Sequence, residues 1–379
     1  FLFRSLLTHF EKYFQRKDLL ALRTSMAHLR IALILCKHLI SSRTFLCRFF
    51  CFVFVLILIY MYTYDPCTNL GKRKIQVDRM CPKNSDKCYN VQLGKMTLRK
   101  KEVFVRFMVY DDRAFGDETG VALRPPEGGK ESSGRFRCSD IQKWPADHTT
   151  LTSSHVASMI ASTFLLGSLS LEEMGVGKQV LEIGLGGGSF DMGLHKMKPH
   201  VNITVVEIEP VVAKLAYKWF GVVNSETHHT ILQDGKEFLE QAYNQGRKFD
   251  VVAIDACGSY FAPMICPCEP FQDPIILEKI QKMLTGTGSL LVNIASANLT
   301  EIGNYKWKKF LQTVKSLFPV CLHITLRDIF NVVVACTKSS MAHIPDLTLY
   351  LDDRFETIMS TLNLKYILDS AYITSLHAK

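Results

Sequence analysis

The apolar positions of this chain follow three patterns, and each predicts a different kind of element. From residue 151 onward, short apolar blocks alternate with stretches of helical period. Strands are expected at Val180–Ile183, Ile203–Ile208, around Ile231 and at Phe249–Asp255. Helices are expected between them, one starting at the glycines after Ile183 and one at Pro210–Phe220, where proline suits the first turn because its missing N–H is not needed there. Upstream, Ser153–Leu166 reads as a helix packed on the sheet with Ser153 as its cap. Downstream come a long loop from Ala256 to Gln272, a helix at Pro274–Leu284, a strand at Ser289–Ile294 and a helix at Tyr305–Leu317. Two further apolar runs, Val320–Leu326 and Ile329–Cys336, predict the antiparallel end of a mostly parallel, doubly wound α/β sheet.

The second pattern is strict alternation, seen at Glu102–Tyr110 and expected of a strand. It sits in a region, residues 65–150, that otherwise reads as a basic stem with a small β element and a loop marked by Pro125, Pro126, Gly128, Gly129 and Gly134. The third pattern is an uncharged apolar and aromatic run at residues 49–64, ending in Tyr60, Tyr62 and Tyr64, which predicts a single transmembrane helix. A buried core helix is the alternative. No small-residue cleavage site follows the run, so an uncleaved anchor is expected rather than a signal peptide. The resulting division is a basic tail at 1–48, the anchor at 49–64, the stem at 65–150, the α/β body at 151–340 and a mostly helical tail at 341–379. A chain opening on Phe1 is expected of a fragment or an extended gene model.

Charge changes the picture in one respect. The net charge of +9 is concentrated in residues 1–64, where nine Lys or Arg face only Glu11 and Asp18. The remainder is close to neutral, so no nucleic-acid partner is expected. Arg43 and Arg48 hug the amino-terminal end of the apolar run, which favours a cytosolic amino terminus, although the flanks balance over a wider window. Cys67, Cys81, Cys88 and Cys138 follow the run, an even number as expected for disulfides in the lumen of the endoplasmic reticulum or Golgi; four free thiols are the other reading. Cys266 and Cys268 read as a loop thiol pair, without the further ligands a zinc site needs. His228 and His229 read as surface residues without a role, and Trp219 and Phe220 as core.

The chemistry is concentrated in Val180-Leu-Glu-Ile-Gly-Leu-Gly-Gly-Gly-Ser189, a strand running into a glycine turn and a helix. Missing Cβ atoms at Gly184, Gly186, Gly187 and Gly188 allow positive φ and let a ligand lie against the backbone. Glu207 stands at the end of the next strand, about twenty residues on, where a carboxylate can accept both hydroxyls of a ribose. Glu182, ahead of the glycines, is expected to order the loop; Asp234, before Gly235, suits an adenine amino group; Asp255 ends the fourth strand. Four strand ends thus converge on one crevice, where open α/β sheets bind their ligands.

These residues, with Ser154-His-Val, Leu165-Leu-Gly167, Val206-Glu-Ile-Glu-Pro210, Lys218-Trp-Phe-Gly221 and Leu277-Glu-Lys-Ile-Gln-Lys-Met-Leu284, resemble the spermidine-synthase-like branch of class I methyltransferases over roughly residues 150 to 340. The resemblance implies a Rossmann-like, seven-stranded sheet and S-adenosylmethionine as cofactor, with Gly184, Gly186, Glu207, Asp234 and Gly235 at cofactor positions. Aminopropyltransferases share this fold. Their glycine turn resembles Gly-Gly-Gly-Asp-Gly-Gly and their catalytic loop Asp-Ser-x-Asp, whereas this chain has Gly187 at the first acid and Asp255-Ala-Cys-Gly258 in the loop. Losing two charge-assisted hydrogen bonds, at about 1.5–3 kcal/mol each, disfavours a polyamine. Methyl transfer to an amine is therefore expected, with Asp255 orienting the acceptor. The alternatives are aminopropyl transfer and a non-catalytic nucleoside-binding scaffold. The acceptor, protein or small molecule, is not specified by any residue, and a homodimer is left open.

Overall fold

The computed structural model describes residues 74–376 apart from 84, 112–118, 126–137, 259–261, 297–300, 327–330 and 342; ahead of residue 74 it describes only Val53. The basic tail, the expected anchor at 49–64 and Cys67 thus lie outside the described residues, Val53 apart. Among the described residues no helix is long and apolar enough to cross a membrane. Residue contacts separate residues 1–65 from residues 66–379, and the second of these units holds both sheets of the protein.

That unit opens with an antiparallel sheet of five strands in sequence order: β1 (Ile75–Met80), β2 (Tyr89–Leu98), β3 (Lys101–Tyr110), β4 (Thr119–Leu123) and β5 (Ala146–Asp147). Only β3 was expected. The β2–β3 hairpin turns at Arg99 and Lys100, both with positive φ (44° and 66°), so the glycine or asparagine that usually announces such a turn is missing from the sequence. In β2, Gly94 interrupts the apolar alternation; a Cβ there would come within 3.1 Å of the Phe107 ring on β3.

The body alternates as expected. After α1 (Ser154–Leu165) come β6 (Gln179–Ile183), α2 (Ser189–Met197), β7 (Asn202–Glu207), α3 (Pro210–Trp219), β8 (His228–Leu232), α4 (Gly235–Asn244) and β9 (Phe249–Ile254). Next in the chain are β10 (Met264–Cys266), α5 (Pro274–Met283), β11 (Leu284–Ser296), α6 (Glu301–Leu317), β12 (Val320–Thr325), β13 (Asn331–Thr337), α7 (Leu347–Thr361), α8 (Lys365–Leu368) and β14 (Tyr372–Ser375). The sheet runs β14-β12-β13-β11-β9-β6-β7-β8, parallel from β11 to β8 and antiparallel around β13, with β10 on β11. It is a Rossmann-like α/β fold with nine strands, two more than the seven expected. In the tail, expected to be mostly helical, α7 and α8 are followed by the short strand β14. It pairs with the edge of β12, where backbone groups would otherwise be unpaired.

One face of the sheet buries Ile160, Phe164 and Leu194 with Leu351 and Ile358 of α7; the other buries Phe238, Leu277, Ile280 and Phe310. α3 is shared, sending Ala213 and Ala216 to the large sheet and Val212 and Leu215 to the small one. Arg106 of β3 ties the two sheets together. It is 4% exposed, and its guanidinium donates to the carbonyls of Trp219 at the end of α3, Gln142 (2.9 Å) and Trp144 (3.3 Å). Burial lowers its pKa to about 10, so it stays charged at neutral pH among acceptors that include a helix carboxyl end.

Candidate functional site

Where β6 leads one way to β7 and β9 the other way to β11, the strand order reverses and a crevice opens. Gly184 closes its floor. The Gly184 N–H donates to the Val206 carbonyl (2.9 Å) and the Asp255 N–H to the Ile183 carbonyl (2.9 Å), which sets the three strand ends side by side. At Gly184 (φ +95°) a Cβ would stand 2.7 Å from the Asp255 carbonyl oxygen, so glycine here lets the turn close against the β9 end.

The glycines divide their work. Gly186 (φ +53°) has nothing nearer than 3.6 Å to a built Cβ and leaves the turn's backbone approachable. Gly188 is the left-handed cap of α2, and its Cβ would strike Val222 at 2.4 Å. Gly235 is closed on its Cβ side, where a side chain would meet Ile183 at 2.6 Å, so glycine lets α4 seat closely on the sheet. Gly187 faces β4: a Cβ would stand 2.6 Å from Thr119 Cγ2 and 2.8 Å from the Phe220 ring. The Thr119 hydroxyl is 2.9 Å from Ser189 Oγ, which holds β4 over the turn.

Glu207 is placed as expected. One carboxylate oxygen accepts the Leu185 N–H (2.9 Å) and the other the Glu209 N–H (2.8 Å), so the side chain is fixed against the glycine turn at the mouth of the crevice. Burial pushes its carboxyl up, and backbone N–H groups from Glu209, Leu185, Ile208 and Gly186 pull it back. Asp234 caps α4, with Oδ1 accepting from the Lys236 (2.7 Å) and Glu237 (3.2 Å) N–H groups; its Oδ2 has no protein donor among the described residues. Glu182 is 2% exposed, and its Oε2 has no partner among the described residues. Burial first, then the charges of Asp191, Asp255 and Glu207, raise its pKa well above the ordinary carboxylate range, while the Asp191 N–H opposes them.

These groups suit a nucleoside with a cationic end: a fixed carboxylate for ribose at Glu207, a spare oxygen at Asp234, an open backbone at Gly186 and an orphaned oxygen at Glu182. Asp255 stands at the β9 end, its Oδ1 accepting from Asn293 Nδ2 at 2.6 Å and its Oδ2 facing His155 Nε2 at 3.6 Å. The sequence pointed to none of His155, Asn293 or Thr119 as site residues. His155 stood in view inside Ser154-His-Val; for Asn293 the only signal was a polar residue in an apolar strand.

Three expectations are corrected here. Ser153 occupies the cap position of α1, but its hydroxyl makes no cap bond and meets His155 Nδ1 at 2.7 Å. His228 is fully buried, its Nε2 2.7 Å from Asp191 Oδ2 beneath the glycine turn; only His229 is exposed. Cys266 is not a thiol: it is bridged to Cys257, which leaves Cys268 free and ties down the loop that leaves Asp255.

The family described as "Spermine/spermidine synthase domain" matches residues 159–358. The chain is similar to the eEF1A lysine and N-terminal methyltransferase of Danio rerio, 28% identical over 201 residues, 52% of this chain and 28% of the relative. It is also similar to the polyamine aminopropyltransferase of Vibrio vulnificus, 28% identical over 121 residues, 32% of this chain and 39% of the relative. Among solved structures, human methyltransferase-like protein 13 in complex with SAH aligns at a TM-score of 0.49 and 25% identity, covering 56% of this chain and 93% of that one. The chain spans less than a third of the length of the curated methyltransferases it matches first.

Proposed function

The chain belongs to the spermine/spermidine synthase domain family, and from that premise we propose that it is an S-adenosylmethionine-dependent methyltransferase acting on a primary amine of a protein or small molecule. The observation that carries this reading is the closure of the glycine turn at Gly187. An aminopropyltransferase of the resembled kind needs an acid there to hold the donor's ammonium, and here Thr119 and Phe220 fill that space. The eEF1A methyltransferases among the relatives agree with an amine acceptor.

When bound, the donor supplies a methyl group already activated on a sulfonium. The protein's part is to hold and align. Glu207 receives the ribose hydroxyls, Asp234 Oδ2 the adenine amino group, and the Gly186 backbone the chain between them. Glu182, through the Asp191 N–H, keeps the turn seated on α2. Asp255 accepts a hydrogen bond from the incoming amine and faces the positive charge that nitrogen acquires.

The apolar run at 49–64 with Arg43 and Arg48 before it supports a single-pass anchor with the body on the lumenal side. Disulfides in that body support the same side. Calorimetry on the full chain with S-adenosylmethionine and its decarboxylated form, run in parallel, tests the enzymatic reading. Preference for the intact donor is expected; preference for the decarboxylated one would mean aminopropyl transfer, and binding to neither a non-catalytic scaffold.

A further inference from the structure

Asp255 is held from two sides. Asn293 of β11 donates to its Oδ1 (2.6 Å), and Asn331 of β13 donates to the Asn293 side-chain oxygen (2.9 Å), which fixes the amide's orientation. The other oxygen faces the imidazole of His155 at 3.6 Å, and the far nitrogen of that ring meets Ser153 Oγ at 2.7 Å. Among the described residues no Lys or Arg comes within ion-pair distance of Asp255, so His155 is its only potential cation there. Both side chains are about one-fifth exposed, enough for an acceptor to reach them from the crevice (19% and 20%).

Methyl transfer needs a free electron pair on nitrogen, while an amine near neutral pH arrives as an ammonium. A carboxylate is a poor match for that proton: reference values put it roughly six units below a lysine amine, and imidazole only about four. Resting on the methyltransferase reading, we propose that His155 is the base of the site, its Nε2 taking one proton from the acceptor's ammonium while Asp255 holds the imidazolium that forms. The balance is simple: R–NH3+ and neutral imidazole become R–NH2 and imidazolium. The electrons of the broken N–H bond stay on the amine nitrogen, and the positive charge moves to a ring that faces the Asp255 carboxylate. Ser153 sets the tautomer. For Nε2 to accept, Nδ1 must carry the hydrogen and donate it to Ser153 Oγ, which explains why this serine leaves its helix uncapped. The charged group facing the ring is Asp255, at the end of β9. The positive end of α1 acts against it.

The full chain and its His155→Gln variant would be compared for S-adenosylmethionine affinity by calorimetry. Methyl transfer from the labelled donor to short peptides carrying a free α-amine and a lysine would be followed from pH 6 to 9. The variant is expected to bind the donor within twofold of the parent and to lose about 100-fold or more in kcat at pH 7. The deficit should narrow as pH rises and more amine arrives deprotonated, and added imidazole should restore part of the rate in His155→Ala. Parent-like kcat in His155→Gln overturns the proposal, as does a loss that is equal at every pH and not rescued by imidazole. A parent chain that binds no S-adenosylmethionine would instead sink the methyltransferase reading.

Discussion

At the scale of single residues, the site is defined as much by what it cannot hold as by what it can. Gly187→Asp would restore the acid of the aminopropyltransferase turn, but its Cβ would stand 2.6 Å from Thr119 and 2.8 Å from Phe220. The expected outcome is a loss of about 1–3 kcal/mol in denaturant unfolding with no gained affinity for the decarboxylated donor; a stable variant that gains it would show that Thr119 is no barrier. Glu182 offers a test with a sign. Its carboxyl is raised by burial and neighbouring acids, so it binds its proton more tightly folded than unfolded. Such a group contributes stability that is fully present below the unfolded value and is lost as pH rises through the folded one. Glu182→Gln, neutral at every pH, should therefore melt above the parent at pH 8, with the gap closing as pH falls below about 4.5. An equal or lower melting temperature at pH 8 would mean the charge is stabilised by something else. Glu182, Gly184, Glu207 and Asp255 were legible in the sequence because each sits at a strand end, fixed by local spacing. His155, Asn293 and Thr119 were not, because they reach the same crevice from α1, β11 and β4, and only the folded sheet brings those elements together.

At the scale of elements, strand–helix alternation from residue 151 to β13 was readable because each strand is an apolar block cut off by glycine, proline or charge. The readings that failed have local causes. The β2–β3 hairpin turns on Arg99 and Lys100 without a glycine, and β14 is a short edge strand with alternating burial whose partner lies on β12, about fifty residues earlier. The two apolar runs before residue 338 conceal a covalent link. Cys321 and Cys336 stand directly opposite each other on β12 and β13, both fully buried, and are bridged. The bond joins the sheet's outer antiparallel strands, so replacing both cysteines by serine is expected to lower unfolding stability by about 2–4 kcal/mol, plus the cost of burying two hydroxyls. Unchanged stability in urea would mean that the two thiols are not joined in solution.

At the scale of the whole molecule, cysteine and charge bear on the same proposal, an anchored chain with its α/β body on the lumenal side. Cys81–Cys88, Cys257–Cys266 and Cys321–Cys336 are bridged, Cys138 is also disulfide-bonded, and Cys268 alone is free among the described residues. Such a set, two of whose bonds involve fully buried sulfur or the loop beside Asp255, fits the proposed oxidising side. Positive charge ahead of residues 49–64 is separate support for the proposed cytosolic amino terminus and lumenal body. The two arguments stand or fall separately, and one preparation tests both. In sealed microsomes carrying the full chain, protease added outside should leave the body intact until detergent is added. Of the cysteines from 74 to 376, a thiol-reactive polymer applied after denaturation without reduction should then label Cys268 alone. Digestion from outside together with full labelling would return the body to the cytosol. Protection with full labelling would keep the topology and dissolve the disulfides, and with them the clamp on the loop that carries Asp255.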